Sequence, residues 1–350
     1  MATGSFETGR TALVLGVGGG IGGEVARQLI GAGWRVRALQ RTASASGASS
    51  TSSATHAIAT APASRGVERL HGDVMDRAAV RRAAQGCDVI VHAVNPPGYR
   101  RWAELVLPMI DNTLAAAQAV GATVVLPGTV YNFGPEALPL VGEDAPQQPR
   151  TRKGAIRVAL EQRLEAASAH GVRSIIVRAG DFFGPRVGNS WLAQGFVKAG
   201  QPVRTVREPG VRGVGHAWAY VPDVARAILE LIEMRTTLAP FARFHMGGHW
   251  DADGTQMAAA ICRVAQRHGL HAQRKAFPWP LIYAAAPFAA TPREMLEMRY
   301  LWRETLQLDN ARLVATLGRE PHTPLDAAIE ATLAGLGCLG ERTPTLAAAQ

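Results

Sequence analysis

The chain predicts an α/β fold, a doubly wound parallel sheet with a smaller C-terminal lobe, and three observations predict it. Through the first two-thirds, short apolar runs alternate with helical patterns, as parallel strands joined by crossover helices require. The first run passes directly into a cluster of glycines and then an amphipathic segment. Beyond about residue 185 the alternation loosens, and Gly, Pro and Trp separate short elements.

In chain order, the apolar runs TALVLG (11–16), WRVRALQ (34–40), VERLHG (67–72), DVIVHAV (88–94), TVVLPG (123–128) and RSIIVRAG (173–180) predict strands. Helical periodicity predicts helices near 21–31, 76–85, 103–119, 152–170 and 222–234. Residues 42–64 are small, polar and without period, and predict a flexible insertion at the exit of the second strand. These elements assign 1–185 to a nucleotide-binding domain and 186–335 to a mixed lobe, with 216–235 returning to the core and 336–350 a tail. The stretches 185–215 and 236–330 are expected to cover the carboxyl ends of the sheet, where open α/β sheets bind ligands.

Composition narrows the class. With 47% hydrophobic and 19% charged residues the 350-residue chain reads as globular, and no apolar run is long enough to span a membrane. The first residues lack the sections of a secretory signal. Cys87, Cys262 and Cys338 form no metal or redox spacing, so a reducing cytoplasm and no metal are expected. The net charge of +9 rests on arginines spread along the chain, with lysine only at 153, 198 and 275. A dispersed charge does not predict a nucleic-acid partner, but it suits an anionic cofactor.

The segment TALVLGVGGGIGGEVARQLIGAG has the marks of a phosphate loop. A strand-to-helix turn needs positive φ, a pyrophosphate needs backbone without Cβ, and the helix start offers free N–H groups. Two registers fit: Gly16, Gly19 and Gly22, or Gly18, Gly20 and Gly23. The first is preferred because Gly16 directly ends the strand. Gly20 and Ile21 then open the helix. This predicts a Rossmann-type dinucleotide site. The second strand ends Leu39-Gln40-Arg41, with no carboxylate for a ribose 2′-hydroxyl. Arg41 could instead clamp a 2′-phosphate, so NADP(H) is expected over NAD(H).

With HGDVMD (71–76), GCDVIVHAV (86–94), LPGTVYNFGP (126–135), IIVRAGDFFGP (175–185) and YVPDVARAI (220–228), the sequence resembles the extended short-chain dehydrogenase/reductases of the NAD-dependent epimerase/dehydratase family. The resemblance runs from residue 11 to about 235 and more faintly to 330. It implies that Asp73 and Val74 meet the adenine, and that His92, Ala93 and Val94 line the adenosine and ribose path. It also implies a Ser or Thr, Tyr and Lys chemistry, in which Thr129 matches the hydroxyl position. Asp181 falls in the loop that resembles the nicotinamide-side wall, where it could orient the carboxamide, touch substrate or cap its turn. Dimers through the helices near 103–119 and 152–170 are a further expectation.

The helix departs from the family pattern. Tyr-x-x-x-Lys-x-x-x-Glu is here Lys153-x-x-x-Arg157-x-x-x-Glu161, three residues on one helix face. Arg157 could hold ribose hydroxyls; Lys153 could donate a proton if burial and a cationic neighbour loosened it. The same face could instead be an exposed, salt-bridged surface. Tyr131 is a substitute acid if 129–131 is extended, which would place it on the face of Thr129. His216 stands where members acting on nucleotide-sugars commonly carry an Arg, either as a site residue or simply packed. The expected function is therefore NADP(H)-dependent reduction of a carbonyl, or a related redox step, on a small molecule. A non-catalytic NADP(H)-binding regulator is the alternative, and an NAD-dependent sugar epimerase a weaker one.

Overall fold

A computed structural model describes residues 10–41, 66–96 and 101–340. The expected insertion at 42–64 lies outside the described residues. The strands of the first half are β1 (Thr11–Leu15), β2 (Arg35–Gln40), β3 (Val67–His71), β4 (Val89–His92), β5 (Thr123–Gly128), β6 (Leu140–Val141) and β7 (Ser174–Arg178). Those that follow are β8 (Asp181–Phe183), β9 (Thr205–Glu208), β10 (His216–Tyr220), β11 (Phe241–His245), β12 (His249–Asp251), β13 (Gln273–Ala276) and β14 (Gln307–Leu308). The central sheet has seven parallel strands in the order β11-β7-β5-β4-β1-β2-β3. Its order reverses between β1 and β4, so a crevice opens beyond the carboxyl ends of those two strands.

Helices cover both faces. On one, α1 (Gly20–Gly31) lies beside the later helix Val221–Glu233, and Val25, Leu29, Val224, Ile228 and Leu231 pack on Val14, Val91 and Val177. On the other lie α2 (Arg77–Ala83), α3 (Trp102–Val120) and α4 (Arg152–Ser168), with Ile110, Leu160 and Leu164 against Leu13, Ile90 and Ile176. The β1, β4 and β7 residues are fully buried, as strands covered on both faces must be. Each such Val, Leu or Ile contributes about 1.5–3 kcal/mol relative to exposure.

The Val221–Glu233 helix is α5; the lobe adds α6 (Gln256–Arg267), α7 (Trp279–Ala285), α8 (Ala290–Glu297), α9 (Ala311–Leu317) and α10 (Leu325–Gly335). Trp218, Phe196, Trp302, Ile261 and Leu333 form its core. Three expectations change. Phe241–His245, expected in the lobe, is the edge strand of the central sheet, because its buried Ala242 and Phe244 join the sheet core beside β7. Within 216–235, α5 and Ala219 of β10 belong to that core, although β10 pairs with β8 and β12 in a separate sheet rather than joining the central one. The tail cannot begin at 336, since Leu336 and Cys338 are fully buried in the lobe. Among the described residues, no helix is long and apolar enough to cross a membrane.

Candidate active site

The glycine turn is built by close packing. Gly16 has φ +93°, and a Cβ there would lie 2.5 Å from the Ala93 carbonyl oxygen. A Cβ on Gly22 would lie 2.4 Å from the Gly16 carbonyl oxygen, whereas one on Gly18 would meet nothing within 4 Å. Gly16, Gly19, Gly20 and Ile21 line a cleft of about 340 Å³ together with Ala93, Val94, Asn95, Thr129, Tyr131 and Arg157. Gly22 lies beneath the cleft and lets α1 approach β1. The N-terminus of α1 has no side-chain cap, so its first N–H groups face this cleft uncapped.

A second cleft, about 390 Å³, continues past the ends of β1 and β2 and is lined by Gln40, Arg41, Asp73, Val74, Val94 and Arg101. Arg41 is exposed at its rim. The Gln40 side chain accepts from Arg69 Nη1 at 2.5 Å, and Asp73 Oδ1 accepts from the Met75 N–H at 2.9 Å. Asp73 thus caps its own turn as well as lining the cleft. Ala93 lines the inner cleft, and Val94 lines both.

A third cavity, about 520 Å³, adjoins the inner cleft under the lobe, and Tyr131, Phe182 and Asn189 line both. Its other walls include Lys153, Asp181, Trp191, Glu294 and Met298. The helix start at α4 sets Lys153 beside Tyr131. Thr151 Oγ1 accepts from the Gly154 N–H at 3.0 Å, and a Cβ on Gly154 would lie 2.2 Å from the Tyr131 carbonyl oxygen.

The expected motif face does not behave as one unit. Lys153, Arg157 and Glu161 are only 4%, 6% and 4% exposed, which overturns the exposed-surface reading. Lys153 Nζ pairs with Glu294 at 2.6 Å and with Glu297 at 3.9 Å, both on α8. The ammonium is engaged in an anionic cluster on the lobe side. Arg157 Nη2 donates to Asn95 Oδ1 at 3.0 Å and its guanidinium lies 5.1 Å from the Trp102 ring, so it faces the inner cleft. Glu161 holds the fully buried Arg178 through two oxygens, at 3.1 and 2.5 Å. Burial, helped by the Arg157 charge, pushes the His92 imidazole down to about 3 and keeps it neutral beside the cleft.

One further placement differs from expectation. Residues 130–132 turn rather than extend, with the Phe133 N–H donating to the Val130 carbonyl at 3.3 Å, yet Thr129 and Tyr131 both line the inner cleft. Asp181 lines the third cavity, and its Oδ2 is 2.9 Å from His216 Nε2. His216 in turn stacks on Trp302 at 3.9 Å with the rings 2° apart. Sequence reasoning missed Asn95 and Arg101 altogether. Asn95 could have been found, because it stands just past a strand end at the topological switch point.

The model of the NAD dependent epimerase/dehydratase family matches residues 12–247. The chain belongs to that family. Among solved structures of similar fold is a monomeric L-threonine 3-dehydrogenase from a metagenome, 14% identical, with TM-score 0.72 over 93% of this chain and 98% of that one. A UDP-glucuronic acid 4-epimerase from Bacillus cereus, in complex with NAD, is 15% identical with TM-score 0.69 over 93% and 96%. A UDP-glucose 4-epimerase from Bifidobacterium longum, with NAD+ and UDP, is 15% identical with TM-score 0.64 over 92% and 97%. These likenesses are of fold. No curated protein matches the sequence.

Proposed function

We propose that this family member is an NADP(H)-dependent oxidoreductase that reduces a carbonyl of a small organic molecule. The observation that carries the reading is the unbroken run of three pockets across the carboxyl ends of the sheet, with arginines at its outer and inner parts. The residues fit a dinucleotide. Bare backbone at Gly16 and Gly19 cradles a pyrophosphate at the start of α1, and Arg41 with Arg101 faces a 2′-phosphate where β2 ends without a carboxylate. When bound, the dinucleotide supplies hydride exchange at its nicotinamide. Arg157, fixed by Asn95 and Trp102, holds ribose hydroxyls; Thr129 orients the substrate oxygen, and Phe182 and Tyr131 wall the passage between cofactor and substrate.

The solved relatives include enzymes acting on UDP-sugars, but the third cavity suits a diphosphate poorly. Asp181 and Glu294 line it, and its lysine is already paired with Glu294. An uncharged, partly apolar carbonyl compound fits Phe182, Trp191 and Met298 better. A second reading, a non-catalytic NADP(H)-binding regulator, is favoured by the engagement of Lys153 with α8. A screen of aldehydes and ketones, monitored as loss of NADPH absorbance, tests the choice. Substrate-dependent oxidation that falls on replacing Arg157 with Met, through weaker cofactor binding, supports the enzyme. Tight NADPH binding with no carbonyl-dependent oxidation of NADPH supports the regulator.

A further inference from the structure

The reading above leaves reduction without its proton donor, since the tyrosine of the motif is Lys153 and that lysine is bound to α8. We propose that Asp181 and His216 together hold the missing proton, with Asp181 as the catalytic acid and His216 as its positioning partner. The inference rests on the oxidoreductase reading, but its first premise does not, because it comes from hydrogen-bond accounting alone.

His216 is 6% exposed and both ring nitrogens are engaged. Nδ1 lies 3.1 Å from the Leu301 carbonyl oxygen, which can only accept, so Nδ1 carries a proton and donates it. Nε2 lies 2.9 Å from Asp181 Oδ2. With Nδ1 protonated, a neutral ring has only a lone pair at Nε2. That lone pair facing a carboxylate would be two acceptors in contact without a hydrogen. A second proton must therefore sit between them, either on the ring beside a carboxylate or on Asp181 beside a neutral ring. Trp302, stacked on the imidazole, and Trp218, 4.9 Å away, fix the ring and keep water from substituting for either partner.

Asp181 reaches the substrate cavity, and the following residue, Phe182, lines both that cavity and the inner cleft. A carbonyl bound in the cavity beside Phe182 thus meets the acid. In the reduction, the carbonyl carbon accepts a hydride from the reduced nicotinamide and the C=O π pair moves to oxygen. The oxygen takes the shared proton through Asp181 and becomes the alcohol hydroxyl. This leaves a carboxylate against the Nε2 lone pair, an unfavourable contact that draws a proton back from solvent through the cavity. The charged groups facing the couple are Lys153 and Glu294 across the cavity, with Glu297, Glu304 and Arg150 beyond Tyr300. Burial, and the charge of Asp181, push the Tyr300 hydroxyl far up, so it stays neutral beside the couple.

The test uses the full chain in two measurements. Asp181→Asn keeps a donor to Nε2 through its amide but removes the acid, and His216→Gln keeps a donor to Asp181 but no shared proton. Each should lower kcat by about a hundredfold or more, with NADPH affinity and melting temperature close to the parent. In both variants the loss should fall on kcat and leave KM for the carbonyl close to the parent. Full turnover in either variant, or a loss confined to KM, would overturn the inference. Separately, ¹⁵N-histidine spectra of the cofactor-free chain should show a protonated His216 Nδ1, as the Leu301 carbonyl requires. An Nδ1 signal of a bare lone pair would overturn the shared proton, because a single ring proton on Nε2 would then satisfy the Asp181 carboxylate. A shared proton in a parent whose NADPH no carbonyl oxidises supports the couple and sinks the oxidoreductase reading instead.

Discussion

Arg41 and Arg157 are both arginines in clefts, yet their surroundings assign them different work. Arg41 stands exposed at the outer rim, where a 2′-phosphate would add a charge-assisted contact. Its replacement by Ala should weaken NADPH about ten- to a hundredfold and leave NADH nearly unchanged, measured by fluorescence titration. Equal loss of both cofactors would contradict the assignment. Arg157 is buried, with Asn95 and Trp102 holding its guanidinium. Replacement by Met should weaken both cofactors alike, because the ribose hydroxyls it is proposed to hold are common to the two. The glycine turn was legible in the sequence because backbone requirements dictate residue type at fixed spacing. The partners of Lys153, Asp181 and His216 were not, since Glu294 and His216 come from distant segments that no local spacing connects to the motif.

At the scale of elements, α4 is the strut between the sheet and the lobe. Its N-terminal turn is capped by Thr151, its buried face carries Glu161 to Arg178 on β7, and Lys153 ties it to α8. Neither α7 nor α8 buries a residue fully; Trp279 of α7 packs on the lobe core and donates to the Pro209 carbonyl, while the Lys153 cluster anchors α8. Lys153→Met would leave Glu294 and Glu297 facing each other without their cation. The carboxylates are about one-fifth exposed, so the loss should be about 2–3 kcal/mol, below that of a wholly buried pair. Hydrogen exchange should then speed up in 279–297 before the central sheet, with NADPH affinity retained. Unchanged exchange in that segment would refute the strut. The strands and helices of the first half were readable because a two-faced core imposes regular apolar runs. β11 and β10 were harder: the same short apolar pattern serves an edge strand of the main sheet and a strand of the lobe sheet, and only long-range pairing separates them.

For the whole molecule, the cofactor clefts and substrate cavity share walls contributed by both the sheet and the lobe, so stability and ligand binding are coupled. Stability should also depend on pH through histidines buried in neutral form. Burial pushes His92 and His245 to about 3, aided by Arg157 and Arg178 respectively, and His249 to about 4, aided by His322. The unfolded chain takes up protons near 6.5 while the folded chain does not. Their stabilisation is therefore complete above pH 6.5 and is lost as pH falls from there toward 4 for His249 and toward 3 for His92 and His245, by up to about 1.4 kcal/mol per pH unit for each group. His92→Gln should flatten this fall in urea titrations between pH 6.5 and 4.5; an unaltered slope would show that His92 does not contribute. The central claim is a dinucleotide site shaped for NADP(H), and calorimetric titration of the parent protein with NADPH and with NADH tests it most directly. The account predicts that NADPH binds about ten- to a hundredfold more tightly, one charge-assisted contact's worth; equal affinities, or tighter binding of NADH, would contradict it.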